Sequence, residues 1–125
     1  MGEISNNPNQ DIYKRSYDFS CQLVGFARSV QVDYVSRIMV IQLVRSGTSI
    51  SANLYEAKSA ETKKDFIHKV SISLKESRET IYWLQILKDS GCVVNNSISG
   101  LIDECTEISK ILAAIKINSQ KSVPA

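Results

Sequence analysis

Proline is confined to the two ends of this chain, at Pro8 and Pro124. The long stretch between them, free of helix-breaking rings, favours extended helices over turn-rich sheet. Histidine is almost as scarce. With His68 alone, the paired Glu-x-x-His motifs of a di-iron bundle cannot be assembled. A Ser–His–acid or Cys–His pair would have to join His68 to Ser71, Ser73 or a cysteine, and nothing marks an oxyanion site. Asp65 and other carboxylates could imitate a metal set around His68, but a partly exposed helix residue is the better reading. Phosphate loops and dinucleotide fingerprints are missing. No catalytic residue, metal or cofactor is expected, and the chain does not read as an enzyme.

The three cysteines, Cys21, Cys92 and Cys105, are odd in number and lack short spacing. They suit a reducing compartment and form neither a metal nor a redox motif. Cys21 and Cys105 fall on apolar helical faces and are expected to be small buried hydrophobes. No run approaches 18 apolar residues, so no membrane span is expected. The polar N-terminus has no signal-peptide core, and Asn6 stands where myristoylation after Met1-Gly2 needs Ser or Thr. A cytoplasmic location is expected.

Charge of one sign is also modest. Fifteen Lys and Arg against thirteen Asp and Glu leave +2 on 125 residues, too little by itself to imply nucleic acid. The distribution is uneven. Residues 1–30 balance at three and three, as do residues 100–125, whereas residues 35–90 carry nine basic and six acidic groups. The excess lies in the middle.

A chain of this length forms one domain by default and can bury roughly two-thirds of its unfolded surface without disulfides or metal. Residues 1–10 read as a flexible arm and 118–125 as a flexible tail, around a domain over residues 11–117. A first helix is expected over Asp11–Val30. Its apolar face is read from Tyr13, Tyr17, Cys21, Val24 and Ala27, with Phe26 and Val30 flanking. Asp33 or Ser36 can cap a second helix over Val35–Lys58, with a core stripe of Met39, Leu43, Ser46 or Gly47, Ile50, Leu54 and Ala57. Gly47 could break that helix or let a neighbour approach closely. The apolar period stays in phase across it, which favours a continuous helix. Gln42, Arg45, Ser49, Asn53 and Glu56 share another face, either solvated or buried as a polar seam.

Thr62 and Asp65 approximate a capping box for a third helix over Lys63–Ser90. Its stripe is Ile67, Val70, Leu74, Ile81 and Leu84, with Phe66 and Leu87 flanking. Gly91 stops it with a left-handed cap. Asn95, Asn96 and Ser97 offer caps for a fourth helix to Ile117. Four amphipathic helices with short links make an all-α, antiparallel up-down-up-down four-helix bundle. Folding the second and third helices back near residue 60 brings Arg45 opposite Lys75 to Glu79, with Glu76 or Glu79 as its partner, and Asn53 opposite Ile67. Arg45, Asn53, Glu76 and Glu79 are therefore candidates for a structural polar seam. Lys63, Lys64, Lys69, Lys75 and Arg78 are candidate phosphate contacts, diluted by interspersed carboxylates. Tyr82 and Trp83 point in different directions, so at least one lies off the core and is a candidate subunit contact.

These residues also carry a resemblance. Gln42 to Ile50, then Ala52-Asn53 and Glu56-Ala57, resemble the first signature of the bacterial four-helix bundle family, also called the 23S rRNA intervening-sequence protein family. Asp65 to Lys69, Lys75-Glu76, Arg78 to Thr80 and Trp83-Leu84 resemble its second. That family is similar to the accessory variability protein of diversity-generating retroelements, a pentameric barrel with a basic surface. The resemblance implies a four-helix bundle protomer and a homopentamer, and it does not imply a reaction. It also implies RNA or DNA binding, or docking of a reverse-transcriptase-like or ribonucleoprotein partner. The expected function is a non-enzymatic homo-oligomer acting through its basic surface. The alternative is a structural or protein-interaction scaffold with no nucleic-acid role.

Overall fold

The computed structural model describes residues 8–94 and 96–121, with the side chains of 8–11 outside that description. The helices are α1 (Pro8–Ser29), α2 (Tyr34–Lys58), α3 (Lys63–Asp89) and α4 (Ser97–Lys121). They form a closed ring in which α2 packs on α3, α3 on α4, and α1 on both α2 and α4, with no diagonal contacts among the described residues. The α2–α3 seam is the most extensive and α1–α4 the least. Short links make ring neighbours antiparallel, as in an up-down-up-down bundle.

The helix ends follow local chemistry. Asp33 Oδ1 accepts from the Ser36 amide at 2.8 Å and starts α2. Thr62 Oγ1 accepts from the Asp65 amide at 3.0 Å and starts α3. Each fills an amide left unpaired in the first turn. After α3, Gly91 sits at φ +71°, where a Cβ would be strained. Of the caps expected for α4, Asn95 lies outside the described residues and Ser97 is already helical. This helix runs four residues past the expected Ile117, to Lys121. Residues 8–10 of the expected arm belong to α1; residues 1–7 of the arm and 122–125 of the tail lie outside the described residues.

The core is built from Phe19, Leu23, Leu43, Ile50, Leu54, Leu84, Leu87, Cys105, Ile108 and Leu112, all essentially inaccessible to solvent. The face expected for α1 is corrected. Tyr17 and Cys21 are exposed and Val24 is largely so, while Ile12, Ser16, Phe19, Ser20, Leu23 and Phe26 are buried. The true stripe lies about 100° round the helix, one residue out of phase. It was masked because two of its positions are serines. Both are satisfied within the helix: Ser16 Oγ donates to the Tyr13 carbonyl at 3.0 Å and Ser20 Oγ to the Ser16 carbonyl at 3.1 Å. On α3, Ile67 and Ile81 are only half-buried, and Ser73, Ser77 and Thr80 take the fully buried positions between Val70 and Leu84.

The middle of α2 is continuous through Gly47. A Cβ on Gly47 would overlap the Cδ2 of Leu23, which is itself fully buried. Around this point hydroxyls join three helices. Ser20 of α1 lies 3.1 Å from Ser51 of α2. Ser73 donates to the Ile50 carbonyl at 2.8 Å and Thr80 to Ser46 at 2.9 Å. Further round the ring, Ser77 of α3 lies 2.6 Å from Ser109 of α4, and the Cys105 thiol donates to the Ser77 carbonyl at 3.4 Å. Among the described residues, no buried side-chain nitrogen or oxygen lacks a partner. Small side chains thus permit close packing without leaving polar groups unpaired.

Two predictions follow from this packing. Gly47→Ala should lower stability by about 1 kcal/mol, because overpacking (about 1–3 kcal/mol) outweighs the helix-propensity gain (about 1 kcal/mol). Gly25→Ala, where an added Cβ meets nothing within 4 Å, should raise stability by up to about 1 kcal/mol; urea melts of the two variants test the opposite signs. Burial pushes the Cys105 thiol up to about 12, whereas Cys21 is exposed. Alkylation at pH 8 followed by peptide mapping should label Cys21 in the folded protein and Cys105 only after denaturation.

Candidate nucleic-acid interface

The period of α3 sorts its charges by direction. Lys64, His68, Ser71, Lys75, Arg78 and Tyr82 recur at spacings of four and three, and so lie on one stripe opposite the buried Ser73, Ser77 and Leu84. All are exposed except Ser71, which is half-buried. From Lys64 to Arg78 the stripe rises about 21 Å along the helix. It contains no carboxylate from Lys64 through Tyr82. Of the other candidate phosphate contacts, Lys63 is exposed about a quarter turn away. Lys69 faces α2, with its Nζ 2.7 Å from Glu56 Oε1.

Two of the acidic residues of α3 that dilute the sequence charge, Glu76 and Glu79, turn toward α2. Arg45 Nη1 donates to Glu76 Oε2 at 3.1 Å, and Nη2 donates to Glu79 Oε2. Arg45 thus bridges two carboxylates about one helical turn apart, where the sequence pointed to one or the other. Its Nε donates to Gln42 at 3.2 Å, and the Trp83 indole donates to Glu79 at 3.0 Å. The Glu76 side chain is only 13% exposed, against 48% for Arg45. The Trp83 and Arg45 donors hold Glu79 below its ordinary carboxylate range. Asn53 stands apart from this network. Its Nδ2 donates to the Ser49 carbonyl of its own helix at 2.8 Å, and among the described residues it makes no hydrogen bond to α3.

Tyr82 and Trp83 meet edge to face at 5.2 Å between centroids. Tyr82 projects outward, while Trp83 lies half-buried over Glu79. On the adjoining N-terminal half of α2, Tyr34, Val35, Ile38 and Ile41 are between 52% and 78% exposed. Among the described residues, no cluster of His, Cys, Asp and Glu could hold a metal ion, and no helix is long and apolar enough to cross a membrane.

Sequence reasoning missed two arrangements. Arg15 of α1 grips Glu104 of α4 with two bonds, Nε to Oε2 at 2.9 Å and Nη2 to Oε1 at 2.8 Å. Tyr13 and Tyr17 of α1 meet Tyr55 at the α1–α2 seam, and Lys58 lies over the Tyr13 and Tyr55 rings. The i, i+4 pair of tyrosines on α1 was the available signal for the second, once the phase of that helix was known.

Four antiparallel helices closed in a ring place the chain among all-α four-helix bundle proteins. The model of the 23S rRNA-intervening sequence protein family matches residues 8–114, and the chain belongs to that family. It is similar to a crystal structure of a protein with unknown function from the S23 ribosomal protein family of Bacteroides thetaiotaomicron. The two share 32% identity over 88% of this chain and 98% of the other, with a TM-score of 0.79. Among curated proteins, none matches.

Trp83, the one tryptophan, offers a direct readout of the network. Because Glu79 titrates lower in the folded than in the unfolded chain, its contribution to stability is present above the ordinary glutamate pKa of about 4.3. It is lost as pH falls through the lower folded value. Trp83 emission should therefore titrate with a midpoint below about 4.3, and Arg45→Ala should move that midpoint upward.

Proposed function

We propose that this chain is a non-enzymatic, homo-oligomeric bundle that binds RNA or DNA, or a nucleic-acid-processing partner, through the outer face of α3. The observation that carries the reading is the separation of charge on that helix. Lys64, Lys75 and Arg78 share a stripe free of carboxylates, while Glu76, Glu79 and Glu56 are matched by Arg45 and Lys69 in the α2–α3 seam. A formal charge of only +2 is thereby arranged so that one face is locally cationic. The names of the matched family and of the S23 relative, which refer to 23S rRNA and to ribosomal protein, agree with a ribonucleoprotein setting.

A single stripe of three cations binds phosphate weakly. Copies around an axis add their fields and contacts. The exposed apolar residues Tyr34, Val35, Ile38 and Ile41 at the start of α2 suit a contact between subunits, since contiguous apolar surface commonly marks an interface. We expect a homopentamer. The same apolar surface also supports the second reading, a protein-interaction scaffold with no nucleic-acid role.

The test is a salt titration of binding to mixed-sequence RNA and DNA, with mass measured in solution. The parent protein should show a mass about five times the 13.9 kDa protomer and an affinity that falls steeply with salt. Lys64→Ala/Lys75→Ala/Arg78→Ala should reduce the slope of log K against log salt by about 2 per protomer engaged. Absent binding at low salt, or affinity indifferent to salt, would favour the scaffold; a 13.9 kDa monomer would remove the summed field.

A further inference from the structure

A second cationic feature lies away from the α3 stripe and has a different character. Tyr13 and Tyr17 project from α1, one turn apart, toward Tyr55 of α2. The Tyr13 and Tyr55 centroids are 6.3 Å apart with planes at 58°, and Tyr17 meets Tyr55 edge to face at 6.4 Å. Lys58 Nζ lies 4.4 Å from the centroid of Tyr13 and 4.8 Å from that of Tyr55. Tyr17 is 53% exposed and Tyr55 43%, so these rings are not core residues. Tyr55 also lines an open cleft of about 560 Å³ beside the α2–α3 turn, with Ser59, Glu61, Asp65, His68 and Lys69 among its other walls. The cluster therefore opens onto the end of the bundle where Lys63 and Lys64 begin α3.

Exposed aromatic rings set beside a lysine meet the two demands of an unpaired nucleotide. A base has a flat π-face that stacks on a ring, and its phosphate needs a nearby cation. A duplex offers phosphates, sugars and base edges but not base faces, which are stacked on each other and unavailable to tyrosine. Lys58 rests on the rings through a cation–π contact, which is worth about 0.5–1 kcal/mol at an exposed site. A stacking base can displace it at that modest cost, and the freed ammonium then reaches the adjoining phosphate. The carboxylates of the cleft, Glu61 and Asp65, repel phosphate but accept hydrogen bonds from base N–H groups, such as N3–H of uracil. This favours entry base-first.

We infer that Tyr13, Tyr17, Tyr55 and Lys58 form a stacking site for an unpaired base of a single-stranded polynucleotide. The inference rests on the nucleic-acid reading of the α3 face and adds strand type to it: the α3 stripe holds the backbone, and the tyrosine cluster selects single strands over duplex.

Fluorescence anisotropy on the full chain, with an unstructured 20-nucleotide oligouridine and a 20-base-pair RNA duplex, tests it. Tyr17→Ala and Tyr55→Ala should each weaken oligouridine binding by about 5–100-fold, the range that one base–aromatic stack supports. Tyr17→Phe and Tyr55→Phe, which keep the ring, should restore it, and duplex affinity should not change. A 4-thiouridine oligonucleotide should cross-link to peptides containing Tyr17 or Tyr55. Should the alanine variants bind oligouridine like the parent while Lys64→Ala/Lys75→Ala/Arg78→Ala weakens it, the stacking site is refuted and the α3 face survives. No binding of either probe at low salt refutes both. If Tyr17→Ala changes the solution mass and leaves oligouridine affinity intact, the cluster is a subunit contact and the inference is wrong.

Discussion

Everything in this bundle depends on how closely α2 can lie against its two neighbours. Its central segment, Ser46 to Ser51, presents a glycine and hydroxyl side chains where most helices would present leucine. Leu23 fills the space that a side chain on Gly47 would occupy. Ser20 approaches Ser51 from one side, while Ser73 and Thr80 bond into the segment from the other. Close approach replaces some apolar area with hydroxyl pairs, so the geometry holds only while those pairs are made. The benefit is specificity more than net energy. A hydroxyl with one partner in one register penalises slippage, which a uniform stripe of leucine would tolerate.

Register at the core determines what the surface can be. With α2 and α3 fixed in phase, Arg45 reaches Glu76 and Glu79, and Lys69 reaches Glu56. Glu76 and Glu79 of α3 are thereby turned toward α2, and the cations at Lys64, Lys75 and Arg78 are left facing outward. Surface ion pairs of this kind add little stability, on the order of 0–1 kcal/mol each. Their larger consequence is electrostatic sorting. A helix of mixed composition acquires a cationic stripe because Glu76 and Glu79 are occupied by Arg45. Net charge is a poor guide to such a protein.

Much of the fold was legible because α2 and α3 carry strong, redundant signals. Their starts are marked by Asp33 and Thr62, and Leu43, Ile50 and Leu54 keep phase across the glycine. The opposition of Arg45 to two glutamates followed from helix rise and a short turn alone. α1 was not legible in the same way. Two stripes of equal period compete there, each with two aromatic residues, Tyr13 and Tyr17 on the outer one and Phe19 and Phe26 on the buried one. The buried one includes Ser16 and Ser20, whose hydroxyls bond to carbonyls three and four residues back, and a sequence does not show that a serine will do so. Asn53 fails similarly: it satisfies itself on its own helix. The candidate site was legible as a set of cations. Its division into an outward stripe, a lone Lys63 and a paired Lys69 needed the angular position of each residue about α3.

The bidentate grip of Arg15 on Glu104 lies on the thinnest seam of the ring, between the first helix and the last. Every other seam joins helices adjacent in the chain, so those three can assemble as each hairpin leaves the ribosome. The α1–α4 seam must wait for nearly the whole polypeptide, and its closure carries the largest loop entropy. The same seam should be the first to part in a native fluctuation, since local opening follows the sparsest packing. Arg15 and Glu104 therefore act as a latch. They join the earliest-made and latest-made parts of the molecule, so its completeness is registered at a single pair of side chains.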